Sequence, residues 1–110
     1  MLIKTVIHHS DFKNSIFNNV FITDTKINNA DFSDADLYLS DFTGSKLTNV
    51  NLSRAKLQGV NFSNVDLDLV TLDGATYDDN TQFPENFDPE KRNLIKGEYP
   101  FISTMRTDFD

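Results

Sequence analysis

The chain reads as an all-β solenoid wound in square coils, and three observations predict it. A large apolar residue recurs at every fifth position: Phe12, Phe17, Ile22, Ile27, Phe32, Leu37, Phe42, Leu47, Leu52, Leu57, Phe62, Leu67, Leu72 and Tyr77. A small or β-branched residue stands two places before each, as in Ser10, Val20, Ala35, Ser45, Ala55 and Val70. Two places after each stands mostly Gly, Asn or Asp, as in Asn14, Asp24, Gly44, Gly59, Asn64 and Gly74. A helix repeats every 3.6 residues and a strand every 2. A strict period of five is neither, and marks a coil of short extended pieces joined by turns.

The elements follow in order. Thr5 and Ile7 extend the register to a further unit at the start, and Met1 to Thr5 is expected to form a first extended segment. Within each unit the large residue fills the interior. The residue two later needs the left-handed backbone that Gly, Asn and Asp tolerate. A quarter turn per unit closes a square after four, so residue n lies over residue n+20. Coils then stack about 4.8 Å apart through backbone hydrogen bonds. The interior becomes four columns, one of them Phe12, Phe32, Leu52 and Leu72. Corner columns such as Ser15, Ala35, Ala55 and Ala75 must be small, because four large side chains already fill each square. Leu39, Arg54 and Leu69 break the turn pattern, and their turns are expected to differ from those at Gly44, Gly59 and Gly74.

Ala30-Asp31-Phe32-Ser33-Asp34 and Ala35-Asp36-Leu37, with the looser Val50-Asn51-Leu52-Ser53 and Val60-Asn61-Phe62-Ser63, resemble the A(D/N)LXX consensus of the pentapeptide-repeat family. The resemblance covers residues 5 to 79. It implies a right-handed quadrilateral β-helix, and it is nearly silent on activity, since one fold hosts many functions. The repeat is therefore expected over residues 1–79, with a C-terminal capping segment over 80–110. After Tyr77 the period gives way to aromatics and prolines. Asp88 as N-cap, Pro89 at the first position and Gly97 beyond the end predict a short helix over 89–96. Phe83, Phe87, Leu94 and Ile95 would cover the last coil, whose open edge invites aggregation. Residues 98–110 would pack on the coil or form a tail. An aspartate-rich exit with Phe-Pro is similar to that of short cyanobacterial-type family members.

Composition excludes several function classes. The net charge is −7. Residues 5–79 hold eleven Asp, four Lys and one Arg, so the repeat carries −6 of it. Direct nucleic-acid binding, which neutralises phosphates, is not expected. A solvated acidic face is the plain reading, and a surface for a basic partner the sharper one. There is no cysteine, hence no disulfide and no thiolate metal site. No signal peptide or membrane-spanning run is visible, so a cytoplasmic location and no membrane contact are expected. His8 and His9 beside Ser10 and Asp11 form no triad, since neighbours in one extended segment point apart. No catalytic residue, cofactor or metal site is expected, and the chain is read as non-enzymatic.

Most outward positions are polar. The exceptions are Val6, Ile16, Phe21, Tyr38, Leu39 and Leu69. On the square, Ile16, Phe21, Tyr38 and Leu39 cluster around one corner, and a contiguous apolar patch calls for a cover. This candidate interaction patch would take the C-terminal tail, a second copy of the chain in a homodimer, or another protein. The chain is accordingly read as an interaction or scaffold module. The alternative is a modulator of topoisomerase (gyrase) that mimics DNA, a property the resemblance brings with it. Acidity fits that alternative, but fewer than four coils make a rod of only about 18 Å.

Overall fold

The computed structural model describes residues 2–3 and 6–99. Nine short strands follow in order: β1 (Leu2–Ile3), β2 (Val6–His8), β3 (Ile22–Thr23), β4 (Lys26–Asn28), β5 (Lys46–Thr48), β6 (Val50–Asn51), β7 (Val70–Thr71), β8 (Thr76–Tyr77) and β9 (Ile95–Lys96). Their pairing is parallel throughout. The register within the repeat is twenty residues: Ile7 faces Ile27, Ile27 faces Leu47, and Val50 faces Val70. Single bridges carry the same register along the other sides, from Asp11 to Asp31 to Asn51 and from Asp36 to Lys56 to Thr76. Four five-residue units therefore make one coil, as the spacing predicts, and the protein is a β-helix.

The interior is the expected set of columns. Phe32, Leu52 and Leu72 are buried in one, and Phe42 and Phe62 in another. The Phe42 and Phe62 rings stack with centroids 5.2 Å apart. Ala35, Ala55 and Ala75 are fully buried in their corner. Two other corners use serine instead of alanine, for a reason the spacing does not reveal. Ser40 Oγ accepts from the Val20 amide at 3.1 Å and donates to the Phe17 carbonyl one coil above. Ser45 Oγ accepts from the Thr25 amide at 3.0 Å. A buried hydroxyl thus stays satisfied by bridging adjacent coils.

The Asp or Asn that stands one place before many of the centres also has a local task. Asp31 Oδ1 accepts from the Ser33 amide, Asp41 Oδ1 from Thr43, Asn51 Oδ1 from Ser53 and Asn61 Oδ1 from Ser63, all at 2.8–2.9 Å. The Ser33 amide and hydroxyl hold the Asp31 carboxyl below the usual carboxylate range. These Asx turns tie the side chain to the backbone where the corner begins. They account for much of the acidic composition without invoking a partner.

Several expectations need correction. Leu39 and Arg54 do adopt the left-handed backbone, with φ of 65° and 59°, close to their Asn and Asp equivalents. Among the three residues singled out, Leu69 alone is absent from the positive-φ set. Arg54 is held in place by Asp34 one coil above: Nε and Nη2 donate to its two carboxylate oxygens, each at 3.0 Å. The guanidinium also holds the Asp34 carboxyl below its usual range. The helix expected over 89–96 is only a 3-10 turn, Glu90–Arg92. Asp88 accepts from the Glu90 amide at 3.0 Å, but Asn93 turns left-handed (φ 63°) and ends the turn. The chain then extends, and β9 pairs with β8.

Below the last coil, Gln82 bonds to Phe62 and Val60, and Asn93 accepts from the Gly74 amide at 2.9 Å. Arg92 Nη2 donates to the Leu67 and Val70 carbonyls at 3.0 and 2.7 Å. Phe83 stacks 6.3 Å beneath Phe62, and Phe87 stacks 4.8 Å from Phe83. Each of the four sides of the last coil thereby meets a group from residues 82–97. The first coil differs: Ile7, Phe12, Phe17 and Val20 are only partly buried. Leu2–Ile3 pairs above Ile22–Thr23, while Met1, Lys4 and Thr5 lie outside the described residues, as do residues 100–110 of the tail.

Candidate protein-interaction surface

Ile16 and Phe21 occupy the position one before the centre of their units. The residues paired below them are polar: Asp36, Lys56 and Thr76 under Ile16, and Asp41 and Asn61 under Phe21. Nothing in the repeat asks for an apolar side chain there. Ile16 is 75 % exposed, Phe21 48 % and Leu39 44 %. In the twenty-residue register Leu39 lies one coil below Asn19, which falls between Ile16 and Phe21 in the chain.

Tyr38, the fourth member of the predicted patch, is half-buried beneath Tyr99. The two rings stack face to face, and the Tyr99 hydroxyl donates to Asp36 Oδ2 at 2.8 Å and accepts from Asn18 Nδ2 at 3.3 Å. The bond to Asp36, with burial second, raises the phenol above its usual range. Gln58 lies on the same side, one coil below Tyr38. It is fully buried, and its Nε2 donates to the Gly97 carbonyl at 3.0 Å. No sequence period links Tyr38 to Tyr99, so this partial cover was invisible in the repeat. The one available signal was Gln58, which stands opposite Tyr38 in the twenty-residue register.

The first coil encloses an open hollow of about 660 Å³, lined by Val6, Ile7, His8, Ser10, Phe12, Phe17 and Val20. Its lining offers little chemistry. Ser10 Oγ donates to the His8 carbonyl at 3.0 Å, and His8 Nδ1 faces the Asn28 amide at 3.3 Å. The hydroxyl is not paired with an imidazole, so no nucleophile and base are assembled. Among the described residues no three His, Cys, Asp or Glu side chains are grouped to hold a metal. No helix there is long and apolar enough to cross a membrane. What the arrangement can offer a partner is apolar area beside carboxylates: Ile16, Phe21 and Leu39, with Asp41 under Phe21 and Asp24 three residues beyond it.

The family model for pentapeptide repeats matches eight copies over residues 7–44 and 35–74. Among solved structures, a pentapeptide repeat protein from the Arabidopsis thaliana thylakoid lumen is 28 % identical with a TM-score of 0.59. That match covers 74 % of this chain and 59 % of the other, so this chain spans about three-fifths of that relative. The pentapeptide repeat protein alr5209 from Nostoc is 28 % identical over 79 % of this chain and 84 % of its own, with a TM-score of 0.47. Full-length QnrB1, a plasmid-mediated fluoroquinolone resistance protein, is 15 % identical over 89 % of this chain and 87 % of its own, at a TM-score of 0.31. No curated protein matches the chain. With the family model spanning residues 7–74 and the twenty-residue register of the coil, the chain belongs to the pentapeptide-repeat family.

Proposed function

We propose that the protein is a non-enzymatic module that binds another protein through the corner formed by Ile16, Phe21 and Leu39, with Tyr38 beside them. The supporting observation is Ile16, three-quarters exposed where the units below carry Asp36, Lys56 and Thr76. Large apolar anchors flanked by polar groups are what interfaces use. The neighbouring Asp24 and Asp41 favour a partner face that sets Lys or Arg beside an apolar pocket. The winding is right-handed on this reading, by family resemblance, and residues 80–110 act as the cap of the last coil. The contacts of Gln82, Phe83, Phe87 and Arg92 support that role.

The test compares affinity capture by the wild type, Phe21→Asp and Leu69→Asp. Leu69 is also exposed but lies at the diagonally opposite corner. A protein retained by the wild type and Leu69→Asp and lost with Phe21→Asp supports the reading. Equal capture by all three refutes it. Light scattering on the same samples tells whether the partner is a second copy. The acidic surface alone favours the second reading, a modulator of DNA gyrase, and fewer than four coils give a short rod for it. Unchanged DNA supercoiling by gyrase at excess protein would remove that reading.

A further inference from the structure

The two ends of the coil are finished differently. Residues 82–97 meet every side of the last coil, while Ile7, Phe12, Phe17 and Val20 of the first are only partly buried around its hollow. A residue one place before a unit centre points both backbone groups at the coil above. Asp31 donates to the Ser10 carbonyl at 2.9 Å and accepts from the Phe12 amide at 2.7 Å, and Asp36 does the same with Ser15 and Phe17. Val6, Asp11 and Ile16 hold that position in the first coil, and among the described residues their pairing is with the coil below alone. Val6 and Ile16 are also 53 % and 75 % exposed. Such an edge is a template for another chain. The cover must meet three sides of the square and the apolar middle together. An extended peptide would pair with one side, whereas a second coil end meets them all. Charge permits a second copy here: residues 6–21 hold one Asp and one Lys, whereas the whole chain carries −7.

We infer that two copies of the chain stack head to head through their first coils, about a two-fold axis at Asp11. The rim descends as a ramp from Leu2–Ile3, one level above Ile22–Thr23, to Phe21. A two-fold axis across the coil turns such a ramp onto one of the same slope, so the step in one copy fits the step in the other. The middle of the ramp is Asp11, which puts the axis there. The facing edges then run antiparallel, and residues with both backbone groups at the edge can exchange two bonds each. Five residues either way from Asp11, Val6 pairs with the partner's Ile16, and two exposed apolar side chains cover one another. Inside the square, Phe12 falls opposite the partner's Ser10 and Ile7 opposite the partner's Ser15, large against small. Two Asp11 carboxylates meet at the axis, each with its own Lys13 at 3.8 Å. One coil end is a small face, so the stack is reversible and dilution leaves the first coil open. The inference goes beyond the proposed function and does not need it: Leu39 lies a coil lower, outside this interface.

Sedimentation velocity on the intact chain over a range of concentrations tests it. The wild type should pass from monomer to dimer as concentration rises. Val6→Lys and Ile16→Asp should each weaken the dimer several-fold while circular dichroism stays unchanged. An equimolar mixture of the two should recover it. The mixed pair sets the new lysine against the new aspartate at one contact and keeps Val6 on Ile16 at the other. A wild type that stays monomeric, a dimer that neither substitution weakens, or a mixture that recovers nothing would overturn the inference. A second measurement covers the case in which the charges disturb the coil. The chain has no cysteine of its own. Asp11→Cys should oxidise to a covalent dimer several-fold faster than the exposed control Leu69→Cys, because facing Cα atoms stand about 5.5 Å apart in such a pair. Equal rates would also overturn it.

Discussion

The side chain of Leu39 leans down its corner onto Gly59, one coil below. A Cβ on Gly59 would come 2.6 Å from Leu39 Cδ2. The other two repeat glycines are placed alike: Gly44 lies under Asp24 and Gly74 under Arg54. A corner side chain and the glycine twenty residues later thus share one volume. Gly59 also has φ of 72°, which penalises a side chain by about 1–2 kcal/mol.

Gly59→Ala should therefore destabilise the protein by at least about 1 kcal/mol. Part of the loss should disappear in the Leu39→Ala background, where the crowding is gone and the backbone penalty remains. Urea denaturation of the four proteins checks this. A neutral Gly59→Ala would contradict both reasons.

Emptying the column of Phe42 and Phe62 should be severe. Phe62 is fully buried between Phe42 and Phe83, and Phe62→Ala should lower stability by about 3–5 kcal/mol. Ala55→Leu should lower it by about 1–3 kcal/mol, because its corner has no spare volume. An unchanged melting temperature for Ala55→Leu would place that column outside the core.

Arg92 satisfies two carbonyls of the last coil and stands 5.5 Å over the Phe87 ring. Arg92→Met keeps the stem and removes the donors. It should lower stability by about 1–3 kcal/mol, the range for losing charged hydrogen bonds to buried acceptors. Thermal unfolding comparing Arg92→Met with the exposed control Lys91→Met is the check, and equal Tm values would deny Arg92 this role.

Tyr99 gives the pH dependence. Its phenol is raised by the bond to Asp36 and by burial. A group raised in the folded state contributes stability that is complete below its unfolded pKa and is lost as pH rises through the folded value. The contact of Tyr99 with Tyr38 and Asp36 should therefore hold at neutral pH and loosen in alkali above the ordinary phenol range. Absorbance titration of the three tyrosines should show one late ionisation, absent in Tyr99→Phe. If the ionisation that Tyr99→Phe removes falls in the ordinary phenol range, Asp36 does not hold Tyr99.

The sequence carried the coil and its columns because period five leaves only one arrangement for Phe12, Phe32 and Leu52. It also marked Ile16, Phe21 and Leu39 as outward-facing apolar residues, and all three are exposed. Three features were not legible, each for a physical reason. Leu39 and Arg54 adopt left-handed turns against their intrinsic preference because the coils above and below over-determine the corner. Residues 89–96 carry helix signals, but so short a helix is marginal. The unpaired edge of Thr76–Tyr77 instead takes Ile95–Lys96 as a strand. The stacking of Tyr99 on Tyr38 is a contact between a tail and a repeat, and no local pattern encodes it.

The central claim is that the coil is closed at its last turn and left open, with Ile16 and Phe21 exposed, at its first. Residue-resolved amide hydrogen exchange tests it most directly. Phe12 and Phe62 are both unit centres, and the amide of each donates to the segment below, Phe12 to the Asp31 carbonyl and Phe62 to the Gln82 carbonyl, both at 2.7 Å. Phe62 should be protected like the interior amides of Phe32 and Leu52, and Phe12 should exchange at least tenfold faster. Equal protection at Phe12 and Phe62, or faster exchange at Phe62, would contradict it.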